Sequence, residues 1–174
     1  MCVGSSCEND IEKVSLVTGK KAFPVETSKG LEILYSDSSK VKVKITAPEM
    51  NRFQGEKPIT EMPKGVDVEF YDEQMRVNSR LTSKYALRKE SENVMEAKND
   101  VVVINAKGEK LNTEHLVWDE KNAKIYSKEF VKITTKDKII FGNGFEANQD
   151  FTNYKIFNIK GTITINKDEH TPNP

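Results

Sequence analysis

The chain has 174 residues, 36% of them hydrophobic and 31% charged, and 27 Lys+Arg balance 27 Asp+Glu for a formal net charge of zero. That length suits one domain with a sizeable core, but so polar a composition can build one only if alternation turns the apolar side chains to one face, as strands do. The neutral balance gives no electrostatic reason to expect nucleic acid, and no stretch approaches the roughly 20 apolar residues of a transmembrane helix.

Both cysteines, Cys2 and Cys7, precede the first strand signal. A bridge between them would close a tiny loop and stabilise little. The apolar core of ~7–15 residues that a complete signal peptide needs is missing. Val3-Gly4-Ser5-Ser6-Cys7 nevertheless looks like the tail of a bacterial lipoprotein signal, where small residues precede the cysteine that becomes lipidated. The alternative is an incidental cysteine in a terminal segment. Residues 1–27 read as a tail and lead-in, with Leu16, Val17, Phe23 and Val25 docking on the domain.

Leu31–Tyr35 and Val41–Ile45 form the first clear hairpin, joined by Ser36-Asp37-Ser38-Ser39, with Val41, Val43 and Ile45 alternating with lysines. Ala47-Pro48 is expected to end that strand, because proline cannot donate to a ladder. Asn51–Gly65, with Gly55, Pro58, Pro63 and Gly65, reads as a long irregular connection and as the corner where the chain crosses between two sheets. Val66, Val68 and Phe70 resume the alternation, then a turn at Tyr71-Asp72-Glu73 leads to Met75, Val77 and Leu81, followed by Tyr85, Leu87 and a charged turn at Lys89–Asn93.

From Val101 to Ala147 the pattern is strand, turn, strand, repeated, with turn signals roughly every 7–16 residues, the spacing of an all-β sandwich or barrel. Leu111 and Thr113 fall on odd positions, whereas Leu116 and Trp118 fall on even ones. A one-residue slip flips the faces, so a bulge or bend is expected near Glu114-His115. The last strand is expected from Tyr154 to Ile165, with Phe157, Ile159, Ile163 and Ile165 on one face. No window repeats apolar residues at helical spacing over three turns. The fold class is therefore all-β and antiparallel, rolled into two sheets, with no helix longer than about two turns; residues 28–166 form one domain and 167–174 a frayed tail.

Little in the sequence points to catalysis. His115, flanked by Glu114 and Asp119, has no second histidine or cysteine nearby to complete a metal site. Gly142-Asn143-Gly144 opens no helix, so it reads as a bulge or turn needing positive φ rather than a nucleotide loop. No nucleophile stands with a base. The reading is a non-enzyme without cofactors. Trp118, Phe130, Phe141, Phe145, Tyr154 and Phe157 crowd the C-terminal half. They either pack a core or line a groove for an elongated apolar ligand such as acyl chains.

Gly108, Leu111-x-Thr113-x-x-Leu116-x-Trp118-Asp119, Ile125-x-Ser127, Val131-x-Ile133, Gly142-x-Gly144-Phe145 and Ile159-x-Gly161-x-Ile163 together resemble the LptC family of lipopolysaccharide-export proteins and, more broadly, OstA-like modules. The likeness covers roughly residues 28–165. It implies a twisted, open β-jellyroll in the periplasm, fixed to the inner membrane. Such a protein would receive lipopolysaccharide from the ABC transporter LptBFG and pass it to an LptA-like bridge protein, with the acyl chains inside the roll. The family's interior path, combined with alternation, marks Val131, Ile133, Phe141, Phe145, Phe157, Ile159 and Ile163 as inward, ligand-binding candidates. Thr162, Ile163, Thr164 and Ile165 would lend a strand edge to the next module. The family's commonest form has an N-terminal transmembrane helix, in whose place a lipidated Cys7 would anchor this chain. The competing reading is a structural or carbohydrate-binding β-sandwich of the cell surface, which would show aromatics on an outer face.

Overall fold

The computed structural model describes residues 23–149 and 151–165; Cys7, Leu16, Val17 and the C-terminal tail lie outside them. Twelve strands follow one another: β1 (Glu26–Asp37), β2 (Lys40–Phe53), β3 (Ile59–Met62), β4 (Val66–Tyr71), β5 (Val77–Ser83), β6 (Tyr85–Lys89), β7 (Val94–Asn105), β8 (Lys110–Asp119), β9 (Lys124–Thr134), β10 (Lys138–Asn148), β11 (Tyr154–Ile156) and β12 (Ile159–Thr164). They join in one sheet, and each pairing is antiparallel. The one helical turn among the described residues is a 3₁₀ turn at Glu90–Glu92.

The sheet is a meander of long strands, each bent once. β2 pairs with β4 at Val43↔Phe70 and with β3 at Asn51↔Glu61, so β3 and β4 are two halves of one strand kinked at Pro63-Lys64-Gly65. β5 and β6 are likewise halves of one strand: Leu81 faces Val103, and Ala86 faces Ala97, both on β7. The β7–β8 ladder shifts register between Lys98 and Val101, β8–β9 between Thr113 and Val117, and β10–β9 between Asn143 and Phe145. These irregularities fall at the same height on successive strands. Bulges bend and twist a strand locally, so a row of them creases the sheet and folds it over. The break expected near Glu114-His115 belongs to this crease, and across it the buried positions change from Leu111 and Thr113 to Leu116 and Trp118.

Backbone chemistry fixes the crease. Gly65 has φ +85°, and a Cβ there would lie 2.2 Å from the carbonyl oxygen of Ser83, so no side chain fits. The Lys84 N–H donates to the Asn99 carbonyl at 2.9 Å. Asn99 and Asp100 both have positive φ, at 63° and 53°, a conformation these two residue types tolerate better than most. Two expectations need correction here. Pro48 does not end its strand: β2 runs on to Phe53. Pro48 falls between the stretch of β2 that pairs with β4 and the stretch that pairs with β3, so no ladder on that side lacks its N–H. Asn51–Gly65 is not an irregular connection throughout, because Asn51–Phe53 continues β2 and Ile59–Met62 is β3.

Folding at the crease brings the apolar faces of the two halves together. Val68, Phe70 and Leu81 from one half and Met95, Ala97, Leu116, Trp118 and Ile125 from the other surround a small apolar void. Val43, Ile45, Met62, Leu116, Ile125, Val131 and Phe145 are at most 2% exposed. Burying a side chain of that size stabilises by about 1.5–3 kcal/mol, which is how so polar a chain sustains a core. The last strand is not continuous as expected. It breaks at Phe157-Asn158, where the chain crosses over β10: a Cβ on Gly142 would meet Ile156 Cγ2 at 2.6 Å and the Phe157 carbonyl oxygen at 2.7 Å.

Candidate functional site

The interior carries a continuous row of aromatic rings. Tyr35 on β1 meets Trp118 on β8 edge-on at 6.2 Å, and Trp118 meets Phe70 on β4 at 5.8 Å. Phe70 then meets Phe151 at 5.8 Å, Phe151 stacks on Phe145 at 6.4 Å, and Phe145 stacks on Tyr154 at 5.8 Å. Edge-on and offset pairs of this kind add stability beyond the area they bury. Phe151 enters from the polar connection between β10 and β11. It is 3% exposed with a left-handed φ of 56°, unusual for so bulky a residue.

Two open clefts border the row at its β1 end. The larger, about 670 Å³, has Tyr35, Val43, Phe70 and Trp118 along its wall and Asp37, Asp72, Glu73 and Glu120 at its polar edge. The smaller, about 370 Å³, is lined by Ile33, Tyr35, Ile45, Met50, Met62 and Met95, with Arg52, Arg88 and Glu90 among its polar residues. Tyr35 borders both. Arg88 lies 5.7 Å above its ring and donates to both carboxylate oxygens of Glu120 at 3.0 and 2.8 Å. Burial pushes the Tyr35 hydroxyl pKa upward, with Arg88 opposing. The edge is charged but paired: Glu73 with Lys42, and Asp72 with Arg76 at 2.7 Å. Hydrogen bonds from Lys42 and Lys40 hold Glu73 below the usual carboxylate range, and the Arg76 backbone N–H does the same for Asp72.

A second polar cluster lies apart from this row. Glu96, 8% exposed, accepts from Lys89 at 2.6 Å and Lys98 at 2.7 Å, and lies 3.1 Å from His115 Nε2. Burial alone would raise its pKa, but the two lysine hydrogen bonds outweigh it and hold the carboxyl at about 2. On the same half, burial and the hydrogen bond to Glu61 push Tyr85 up to about 12. No group of three His, Cys, Asp or Glu side chains is gathered as for a metal among the described residues.

The expected inward residues do not all meet. Val131, Ile133 and Phe145 are in the core at 0%, 2% and 2% exposure. Phe141 instead pairs with Lys132 and stacks outside on Phe130 at 6.0 Å. The reason is the shift between Asn143 and Phe145: alternation cannot turn both Phe141 and Phe145 inward across it. Ile163 stands opposite Ile139, which pairs with Thr134, whereas Thr162 shares a rung with Ile140 and the buried Ile133. Ile163 therefore faces away from the interior, 55% exposed. Ile159 shares a rung with Gly142 and the buried Val131, past a register shift at Phe141/Gly142, yet on the outermost strand of that rung it is 61% exposed; Phe157, 45% exposed, lies across Gly144. Thr162, Ile163 and Thr164 pair with β10 on one side only among the described residues. The Ile165 N–H donates back to Asp137 at 2.8 Å, so alternation turns the N–H of Thr164 outward.

Sequence reasoning missed Tyr35, Phe70 and Phe151 as members of the row. Tyr35 and Phe70 sit on alternating strands and were legible as inward, but nothing local says that they meet Trp118. Phe151 has no periodic signal at all.

A model of the family described as "Lipopolysaccharide-assembly, LptC-related" matches residues 16–164. A search of curated proteins finds no match.

Proposed function

The chain belongs to the LptC-related family of lipopolysaccharide-assembly proteins, and on that premise we propose that it carries lipopolysaccharide by holding the acyl chains against the interior row of rings. The observation behind this is the continuous path Tyr35–Trp118–Phe70–Phe151–Phe145–Tyr154, bordered at one end by open clefts. Carrying acyl chains needs apolar surface, at roughly 25 cal/mol per Å² buried, and no catalytic group. The protein works in the periplasm at the inner membrane, held there through lipidated Cys7. It takes its cargo from the ABC transporter LptBFG and hands it to an LptA-like bridge protein. Residues 28–166 act as one jellyroll domain. The backbone edge of β12 that is unpaired among the described residues, with Ile159 and Ile163 exposed on that strand, supports docking of the next module by strand addition at Thr162–Ile165. Val131, Ile133 and Phe145 line the far wall of the path, while Phe141, Phe157, Ile159 and Ile163 serve the junction with the partner.

A photo-cross-linking residue at Tyr35 is expected to capture lipopolysaccharide in cells, and one at Lys107, on the β7–β8 turn, is not. Capture at Lys107 alone overturns the interior path. Carbohydrate binding on an outer face has the Phe130–Phe141 pair in its favour, yet the larger set of rings is turned inward.

A further inference from the structure

Three buried side-chain polar atoms lack a hydrogen-bond partner among the described residues: Arg52 Nε, Ser79 Oγ and Trp118 Nε1. Arg52 Nε has an ionic neighbour, Glu90 Oε1 at 3.3 Å. The other two lie in the apolar interior on either side of Phe70. Ser79 stands opposite Phe70 in the β4–β5 ladder, and the Trp118 ring is 5.8 Å from it. An indole N–H is a donor only, and burying one unpaired is costly enough that native proteins rarely keep it without a role.

Position gives that donor its meaning. Trp118 and Phe70 both border the 670 Å³ open cleft and the small apolar void between the two halves. The indole therefore stands where a chain entering from the cleft passes into the interior. A plain hydrocarbon arriving there offers no acceptor, whereas an acyl chain brings a carbonyl, ester or β-hydroxyl oxygen at its head. We infer that Trp118 is a specificity-determining residue: its Nε1–H donates to the oxygen at the head of an acyl chain and so fixes how deep the alkyl tail lies. The tail then runs along Phe70 toward Phe145, and the head stays at the charged edge near Asp72, Glu73 and Glu120. Ser79 Oγ offers a second donor beside the same ring. This inference rests on the transport reading above and adds to it a recognition of the acyl linkage.

Trp118 is the single tryptophan of the chain, so its spectrum reports this site alone. The probes are methyl decanoate and dodecane, matched in length and differing in the ester. The wild-type protein is expected to bind the ester at least fivefold more tightly by displacement of a fluorescent lipid. Trp118→Phe, which keeps a ring and removes the N–H, is expected to reduce that preference below twofold. Independently of any variant, the ultraviolet resonance Raman band that reports indole hydrogen bonding is expected to shift with methyl decanoate and to stay in place with dodecane. Equal affinities in the wild type, a preference that survives in Trp118→Phe, or an indole already bonded to water in the ligand-free protein each overturns the inference while leaving transport intact. Failure of both probes to bind, with no lipopolysaccharide captured at Tyr35, overturns both.

Discussion

The middle of the sheet and its last strand follow the same rule in sequence and end in opposite environments. In β7–β9 alternate residues are sealed: Val101, Val103, Leu111, Ile125 and Val131 are at most 5% exposed. In β12 the alternate isoleucines, Ile159 and Ile163, are 61% and 55% exposed. Alternation states which residues share a face. It does not state whether another layer covers that face. The crease brings a second layer over β7–β9, whereas β12 pairs on one side only among the described residues and leaves its isoleucines exposed. Single isoleucines on a surface are ordinary; two on one unpaired strand edge are what the docking proposed above would cover.

Substitutions separate the two regions. Ile125→Ala, at a fully buried position in the middle, is expected to destabilise by about 3–4 kcal/mol, through lost burial and the cavity left behind. The check is the urea midpoint at unchanged slope. Gly65→Ala at the crease is expected to cost about 3 kcal/mol, because a Cβ 2.2 Å from the Ser83 carbonyl adds a clash to a strained backbone. A cost below about 1 kcal/mol would mean that the crease yields.

Acid probes the outer side of the middle strands. The Glu96 carboxyl is held at about 2 against its ordinary 4.5. A depressed folded-state value contributes stability that is full above about 4.5 and is lost as the pH falls toward 2. Glu96→Gln is expected to be less stable than wild type at pH 7, the difference shrinking through that window; parallel curves would refute the assignment. The smallest effect belongs to the edge. Ile163→Ala is expected to change stability by no more than about 0.5 kcal/mol, measured by the same urea midpoint. Thr164→Pro removes an outward N–H alone and is expected to weaken partner binding in a pull-down while leaving Trp118 emission unchanged.

The fold was legible because its signals are local. Valines and isoleucines at period two, with polar turns between them, specify strands whatever else the chain does. The slip at Glu114-His115 was legible for the same reason, since two runs of opposite phase must meet somewhere. Gly142-Asn143-Gly144 reads as a bulge or turn, and one lies there, but the apolar phase hides its effect: Ile139, Phe141 and Phe145 share odd positions, so Phe141 reads as inward. Ile163 departs from its expected face for a different reason. Its face depends on the rung it takes on β10, which is set by pairing and not by its own strand. Phe151 lies in a polar connection where no period exists, and only the completed roll gives it neighbours.

The alignment of bulges and kinks has a mechanical consequence. Along that line the ladder is already interrupted on strand after strand, so changing the angle between the two halves breaks few further hydrogen bonds. Sliding one strand past its neighbour would break many. The gap between the halves is thus a compliant coordinate and the strand register a stiff one. A roll with that division of stiffness can widen or narrow between its halves while each strand keeps its own pairing.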